Sequence, residues 1–187
     1  MRTTAPGQSA LLLLDVAVVL QQENVDYAVI GAMAAAVHGV VRASLDADAV
    51  LSLTTQDAQR LEKVFAAAGF QTELRRGDMD DPIACLLALT DTQGNRVDLV
   101  IGLRGMEAAT FARAIVVPFM GQMLRFVCRE DFLAMKAYAG GPQDVDDARK
   151  VIKAAGDSLD LALLRRLAVQ YGRSAATALE SLLAERR

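Results

Sequence analysis

Three carboxylates stand out because their neighbours are apolar. Asp46 and Asp48 open the run Asp46-Ala47-Asp48-Ala49-Val50-Leu51-Ser52-Leu53, and Asp98 interrupts Val97-Asp98-Leu99-Val100-Ile101. Residues two apart in an extended strand share a face, so Asp46 and Asp48 project together, about 6–7 Å apart. Like charges at that spacing repel and desolvate badly unless a cation lies between them. Magnesium held jointly by carboxylates and substrate phosphates is the usual resolution. If the strand of Asp98 lies beside that of Asp46 and Asp48, the three acids converge. They can then hold one or two Mg²⁺, with Asp98 placed to draw a proton from an attacking hydroxyl. Spacing alone leaves a second reading open, in which Asp46 caps a loop and Asp98 faces water at a strand start, because D-x-D is a common string.

Other residues bear on the choice. Tyr27-Ala28-Val29-Ile30 is a short apolar run that ends in Gly31 and enters a small-residue helix. Such a turn exposes backbone amides with no side chain in the way, which suits a phosphate. Lys136 falls on the apolar stripe of its helix among Phe132, Leu133, Met135 and Ala139. A lysine aimed inward needs an anionic partner, either a carboxylate or a bound phosphate; snorkelling past the helix edge is the alternative. Asp144 and Asp147, three apart, share a helix face and can meet Lys136 across Gly140-Gly141, or simply favour the start of their own helix. Arg42, in the loop before D-x-D, reaches either a triphosphate or Asp46. His38 is expected to end its short helix and pack there. Arg75, Arg76 and the acids of 78–81 read as a solvated loop. Arg165, Arg166, Arg186 and Arg187 read as decoration of helix faces, and Met120, Met123 and Met135 as core filler.

These side chains need a scaffold. Apolar spacing predicts a helix over 8–22, a strand over 27–30, a short helix over 32–38 and a strand over 46–53. Thr54 or Thr55 then caps a helix that runs to Ala68 and stops at Gly69. Strands follow at 83–89 and 96–101 around the turn-forming Asp91-Thr92-Gln93-Gly94-Asn95, and a further pair at 114–118 and 123–127. Beyond 130 the pattern is helical, over 130–139, 143–155, 159–171 and 174–185. The order implies an α+β chain: a mixed β-sheet flanked by helices over 1–128, then a C-terminal helical bundle over 129–187.

Composition narrows the chemistry. With 187 residues, 53% hydrophobic and 23% charged, the chain can bury its own core without disulfides or a structural metal. Net charge is −3, so no overall basic field draws it to nucleic acid or anionic lipid. A single histidine and two cysteines leave little for a histidine-based triad or a zinc site. The apolar run at 10–20 is too short to span a bilayer and is broken by Asp15, and no cleavage site follows it, so a cytoplasmic protein without membrane attachment is expected.

The segment from Tyr27 to Asp48, with Gly31, His38-Gly39, Arg42, Ser44 and D-x-D in order, resembles the opening motif of small nucleotidyltransferase-fold proteins. These are the minimal nucleotidyltransferases and the AbiEii-type toxin relatives, whose pattern is roughly G-[GS]-x-A-x-x-x-H-G-x-x-R-x-T-x-D-x-D. Asp131-Phe132-Leu133-Ala134-Met135-Lys136-Ala137-Tyr138-Ala139, followed by Gln143-Asp144-Val145-Asp146-Asp147, is similar to that group's D-L-x-x-x-K-x-x-A … K-D-x-x-D segment. The resemblance implies transfer of a nucleoside monophosphate from an NTP to a hydroxyl on a small molecule, an RNA end or a protein. It implies Mg²⁺ on Asp46, Asp48 and Asp98, a phosphate-facing turn at Gly31 and Ala32, and nucleotide contacts from Arg42 and Ser44. Lys136 would approach phosphates, with Asp144 and Asp147 orienting it or binding the acceptor. A toxin role with a cognate antitoxin is also implied. Three positions depart from the pattern: Ala32 replaces Ser or Gly, Ser44 replaces Thr, and Gln143 replaces Lys. A non-catalytic member that binds a nucleotide or a protein is the alternative that Ala32 and Gln143 favour.

Overall fold

The computed structural model describes residues 1–185; Arg186 and Arg187 lie outside the described residues. The chain runs α1 (Ser9–Gln22), β1 (Tyr27–Ile30), α2 (Gly31–Val37), β2 (Asp46–Leu51), α3 (Ala58–Ala67), β3 (Gln71–Arg76), β4 (Ile83–Thr90) and β5 (Arg96–Leu103). It continues through α4 (Ala109–Ala112), β6 (Ile115–Phe119), β7 (Gln122–Phe126), α5 (Arg129–Ala139), α6 (Pro142–Ala155), α7 (Leu161–Gln170) and α8 (Arg173–Ala184). The class is α+β. One seven-stranded mixed sheet has the order β3-β4-β5-β2-β1-β7-β6. The pairs β2–β5 and β1–β7 are parallel and the rest antiparallel.

The two faces of the central strands have different tasks. On one, Ala47, Ala49 and Leu51 of β2 and Val97, Leu99 and Ile101 of β5 are all but sealed from water. Helix α1 covers them with Leu12, Leu13, Val16 and Leu20, each fully buried. Burying a side chain of that size contributes about 1.5–3 kcal/mol, so this face supplies much of the cohesion. The opposite face carries the aspartates and is overhung by α5. One apolar core continues from the sheet into α5–α8, and sheet gives way to helix between Phe126 and Arg129.

Several local expectations are corrected. Arg75 and Arg76 belong to β3, an edge strand whose sequence Gln71-Thr72-Glu73-Leu74-Arg75-Arg76 lacks apolar alternation because few of its side chains meet the core. Charge on an exposed edge also discourages pairing with another chain. The third helix begins at Ala58 with Asp57 before it; Thr54 accepts from the Asp57 backbone and so closes a preceding turn. Met120 and Met123 are exposed, since they sit at the β6–β7 turn on the other sheet edge, whereas Met135 packs against the core. Arg165 and Arg166 do lie on helix faces, paired with Glu180 and Glu107.

Candidate active site

The parallel pairing of β2 and β5 sets Asp48 directly opposite Asp98, and Asp46 opposite Arg96. All four side chains therefore stand on one face. The adjoining antiparallel pair β1–β2 sets Ile30 opposite Asp48, which brings the β1–α2 turn to the same place. Gly31 has φ +64 there, and a Cβ at this position would overlap Asp48 Oδ2. Glycine is required twice over, for the left-handed backbone and for the close approach of the carboxylate.

The expected convergence of three ligands is only partly realised. Among the described residues no group of three or more His, Cys, Asp or Glu side chains is disposed to hold a metal ion. Arg96 Nε donates to Asp98 Oδ1 at 2.8 Å, so one of the three acids already carries a protein cation. Asp46 stands at the exposed head of β2. Charge on this face nevertheless remains short of cations. Burial, then Asp98 and Asp46, push the Asp48 carboxyl up to about 6, with Lys136 and Arg42 opposing them only in part. A group of hard oxygens carrying excess negative charge fits a Mg²⁺ shared with substrate phosphates and does not fit a closed all-protein cage.

A second cluster lies on α5 and α6. Lys136, with its side chain 11% exposed, donates to Asp144 Oδ1 at 2.7 Å and pairs with Asp147 Oδ2 at 3.0 Å. Its Nζ also stands 5.4 Å from the centre of the Phe132 ring, a favourable distance for a cation over an aromatic face. Asp147 is wholly buried and accepts from Arg42 Nε and from Gln143 Nε2. Burial would raise its pKa, but hydrogen bonds from Lys136 and Gln143, the Lys136 charge and Arg42 together hold it below the ordinary value. Arg42 thus pairs with Asp147 and not with Asp46, the carboxylate partner expected for it. The neutral amide of Gln143 supplies a hydrogen bond where the resembling proteins have lysine. Asp144 also accepts from the Gly141 N–H, closing the first turn of α6.

Other expected site residues fall into two groups. Gly31 adjoins the acids, as described. Ala32 is buried in the first turn of α2, and Ser44 lies exposed in the loop before β2. His38 follows α2 as its C-cap, is buried, and its Nε2 lies 3.0 Å from the Val127 carbonyl oxygen. Burial lowers its pKa, in keeping with a packing role. Sequence reasoning missed Arg96. Its signal was available, since a residue two before Asp98 in a strand shares that carboxylate's face.

No protein-family model matches the chain, and no curated protein matches it. Solved structures do. It resembles an antigenic nucleotidyltransferase-like protein from Paracoccidioides brasiliensis with TM-score 0.60 and 19% identity, over 98% of this chain and 91% of that one. It resembles the antibiotic-resistance factor ANT(2'')-Ia, solved with adenylyl-2''-tobramycin, with TM-score 0.60 and 13% identity over 87% and 98% of the two chains. It also resembles the lincosamide antibiotic adenylyltransferase LnuA, lincomycin-bound, with TM-score 0.50 and 12% identity over 80% and 98%. With its sheet, its helices and its turn of small residues against the in-register aspartates, the chain has the nucleotidyltransferase fold.

Proposed function

We propose that this protein is a nucleotidyltransferase that moves a nucleoside monophosphate from an NTP to the hydroxyl of an acceptor and releases pyrophosphate. The observation that carries the reading is the Asp48–Asp98 pair, set face to face by strand register with Asp46 beside it and too little positive charge to balance them. Asp46, Asp48 and Asp98 would hold Mg²⁺, and that ion, when bound, would neutralise charge developing on the phosphates. In the transfer, the acceptor oxygen forms a bond to the α-phosphorus as the bond to the bridging oxygen of pyrophosphate breaks. The hydroxyl proton passes to the Asp98 carboxylate, which Arg96 holds in position through Oδ1. Gly31 leaves room for the phosphates to approach the backbone, with Ala32, Arg42 and Ser44 around the turn. Lys136, steadied by Asp144 and Asp147, supplies positive charge beside them. Such transfers depend mainly on positioning and charge neutralisation.

A small-molecule acceptor is favoured over RNA by the lack of a net basic charge and by the small molecules bound or modified in two of the similar structures. The toxin setting, with its antitoxin, rests on the AbiEii-type motif resemblance alone. Incubation with each α-labelled NTP, Mg²⁺ and an acceptor panel tests the central reading. Label transfer that vanishes in the Asp46→Asn/Asp48→Asn double variant, with the circular dichroism spectrum kept, is expected. Undiminished transfer by that variant would remove the carboxylates from the mechanism. Metal-dependent nucleotide binding without turnover in the unaltered protein would favour the non-catalytic alternative.

A further inference from the structure

A cavity of about 380 Å³ opens directly on Gly31 and Lys136. It lies between the aspartate face of the sheet and α5, with Ile30, Val100 and Leu103 on one side and Phe132, Met135 and Tyr138 on the other. Val100 follows Asp98 by two residues on β5, so the cavity begins about 6–7 Å from that carboxylate. Its far wall is fixed, because the Tyr138 ring packs on Tyr171 with centroids 5.1 Å apart. The size suits a small organic molecule.

The charge pattern selects what can enter. The charged groups in the lining, Lys136 and Asp144, face one another at 2.7 Å, so the walls carry no net charge. An ionic ligand would have to lose its hydration against apolar walls with no free counter-charge. The lip at Pro82 is continuous with a loop bearing Asp78, Asp80 and Asp81, which repels a polyanion. Asp78 and Asp81 are further tied to their own loop, accepting backbone N–H groups from residues 80, 81 and 83. A nucleobase, with polar edges all round, would leave donors and acceptors unmatched on these walls.

We infer that this cavity is the acceptor pocket and that it takes an uncharged, largely apolar compound carrying a hydroxyl, which excludes RNA ends. The inference rests on the proposed nucleotidyl transfer and adds the acceptor's class to it. Ala139 and Pro82 line the cavity from exposed positions on opposite sides, so Ala139→Phe and Pro82→Phe narrow it without disturbing the core.

The test has two arms. In the first, the uncharged fluorophore N-phenyl-1-naphthylamine is titrated into the full chain, then displaced with 2-(2-naphthyl)ethanol. Binding is expected, weakened about tenfold or more by either Phe variant, and preserved in Asp48→Asn. Magnesium–ATP binding, read by calorimetry, is expected to survive the Phe variants. In the second arm, label from α-labelled NTP is offered to 2-(2-naphthyl)ethanol, tobramycin and an RNA oligonucleotide, and is expected on the naphthyl alcohol. Three results would overturn the pocket assignment: no fluorophore binding, loss of magnesium–ATP binding on narrowing the cavity, or label on tobramycin or RNA instead. Fluorophore binding with the expected variant response, but no transfer to any acceptor, would overturn the nucleotidyl-transfer reading and leave the cavity's ligand preference established.

Discussion

Asp48 and Asp147 are the same residue type in shielded positions on facing sides of one cleft, and their acidities move in opposite directions. Asp48 is pushed up to about 6 and Asp147 is held below the ordinary carboxylate value. Company decides the difference. Asp147 meets two cations, Lys136 and Arg42, and Lys136 also meets Asp144, so two acids face two cations. Asp48 stands among Asp98 and Asp46 with Arg96 bound to its neighbour. A balanced buried cluster is accounted for by stability alone, because each charge there answers another. An unbalanced one raises the free energy of the folded chain, and a ligand that supplies positive charge lowers it again. The contrast separates an acid cluster short of positive charge, on the strands, from a balanced one, on the helices.

The largest expected effect breaks the strand cluster chemically. On the proposed mechanism, Asp48→Asn or Asp98→Asn should reduce nucleotide transfer by about 10³-fold or more, since each would remove a Mg²⁺ ligand and the second also the receiver of the proton. Initial rates with labelled NTP measure it. Rates within a few-fold of the unaltered protein would contradict the assignment.

Next comes the helix cluster, where the expected effect is on folding. Asp147→Ala leaves Lys136 with Asp144, leaves Arg42 without its carboxylate partner, and removes an acid that is fully buried. Breaking a buried pair costs about 3–5 kcal/mol; the low end applies because Lys136 keeps Asp144. For a chain of this length the midpoint of thermal unfolding should fall by roughly 6–12 °C. A change below about 2 °C would show that the cluster is not a structural support.

The contrast sharpens with pH. The Asp48 carboxyl is raised, so its ionisation disfavours the folded state. Below about pH 4 the group is protonated in both states and costs nothing; the penalty grows between about 4 and 6 and is complete above. Raising a carboxyl from its ordinary value to about 6 corresponds to about 3 kcal/mol. Asp48→Asn should therefore stabilise the metal-free chain at pH 8 by about 2 kcal/mol and leave it unchanged near pH 4. Thermal melts across that range, with a chelator present, read the difference. Added Mg²⁺ should raise the melting point of the unaltered chain more than that of the variant. A variant gain of equal size at pH 4 and pH 8 would show that charge is not its source. Asp147 has the opposite sign: its contribution is present above the unfolded value and is lost as pH falls through its depressed one.

How much of this was legible before the fold followed the range of each interaction. The D-x-D strand and the lysine on an apolar stripe were readable because periodicity of two or of 3.6 converts spacing into a shared face. The meeting of Lys136 with Asp144 and Asp147 was readable too, since one tight turn links their helices. Strand β3 was not, because an edge strand buries too little to enforce alternation. Nor was the Arg42–Asp147 pair, 105 positions apart in the chain, which only the packing of α6 beside the loop before β2 creates. The opposition of Asp48 and Asp98 sat between these cases. Both strands could be drawn from the sequence, but the order β5-β2-β1 and its register come from the sheet as a whole.

Arg96 carries the smallest expected effect and the finest distinction between the clusters. Its side chain is 30% exposed, so its pairing with Asp98 is screened by solvent and contributes about 0.5–1 kcal/mol or less. Arg96→Gln should lower stability at neutral pH by no more than that, and the loss should shrink in high salt. Its second consequence runs the other way. Arg96 Nε would compete with a divalent cation for Asp98 Oδ1 on the proposed mechanism, so removing the guanidinium should strengthen Mg²⁺ binding in the absence of nucleotide by a few-fold, read by calorimetry. Lys136→Gln, which breaks the helix cluster by the same loss of one positive charge, should produce a smaller gain, because Lys136 Nζ is bonded to Asp144 and Asp147 and reaches the strand acids only through their field. Equal gains in the two variants would mean that Mg²⁺ responds to the overall charge of the cleft and not to the oxygen that Arg96 holds.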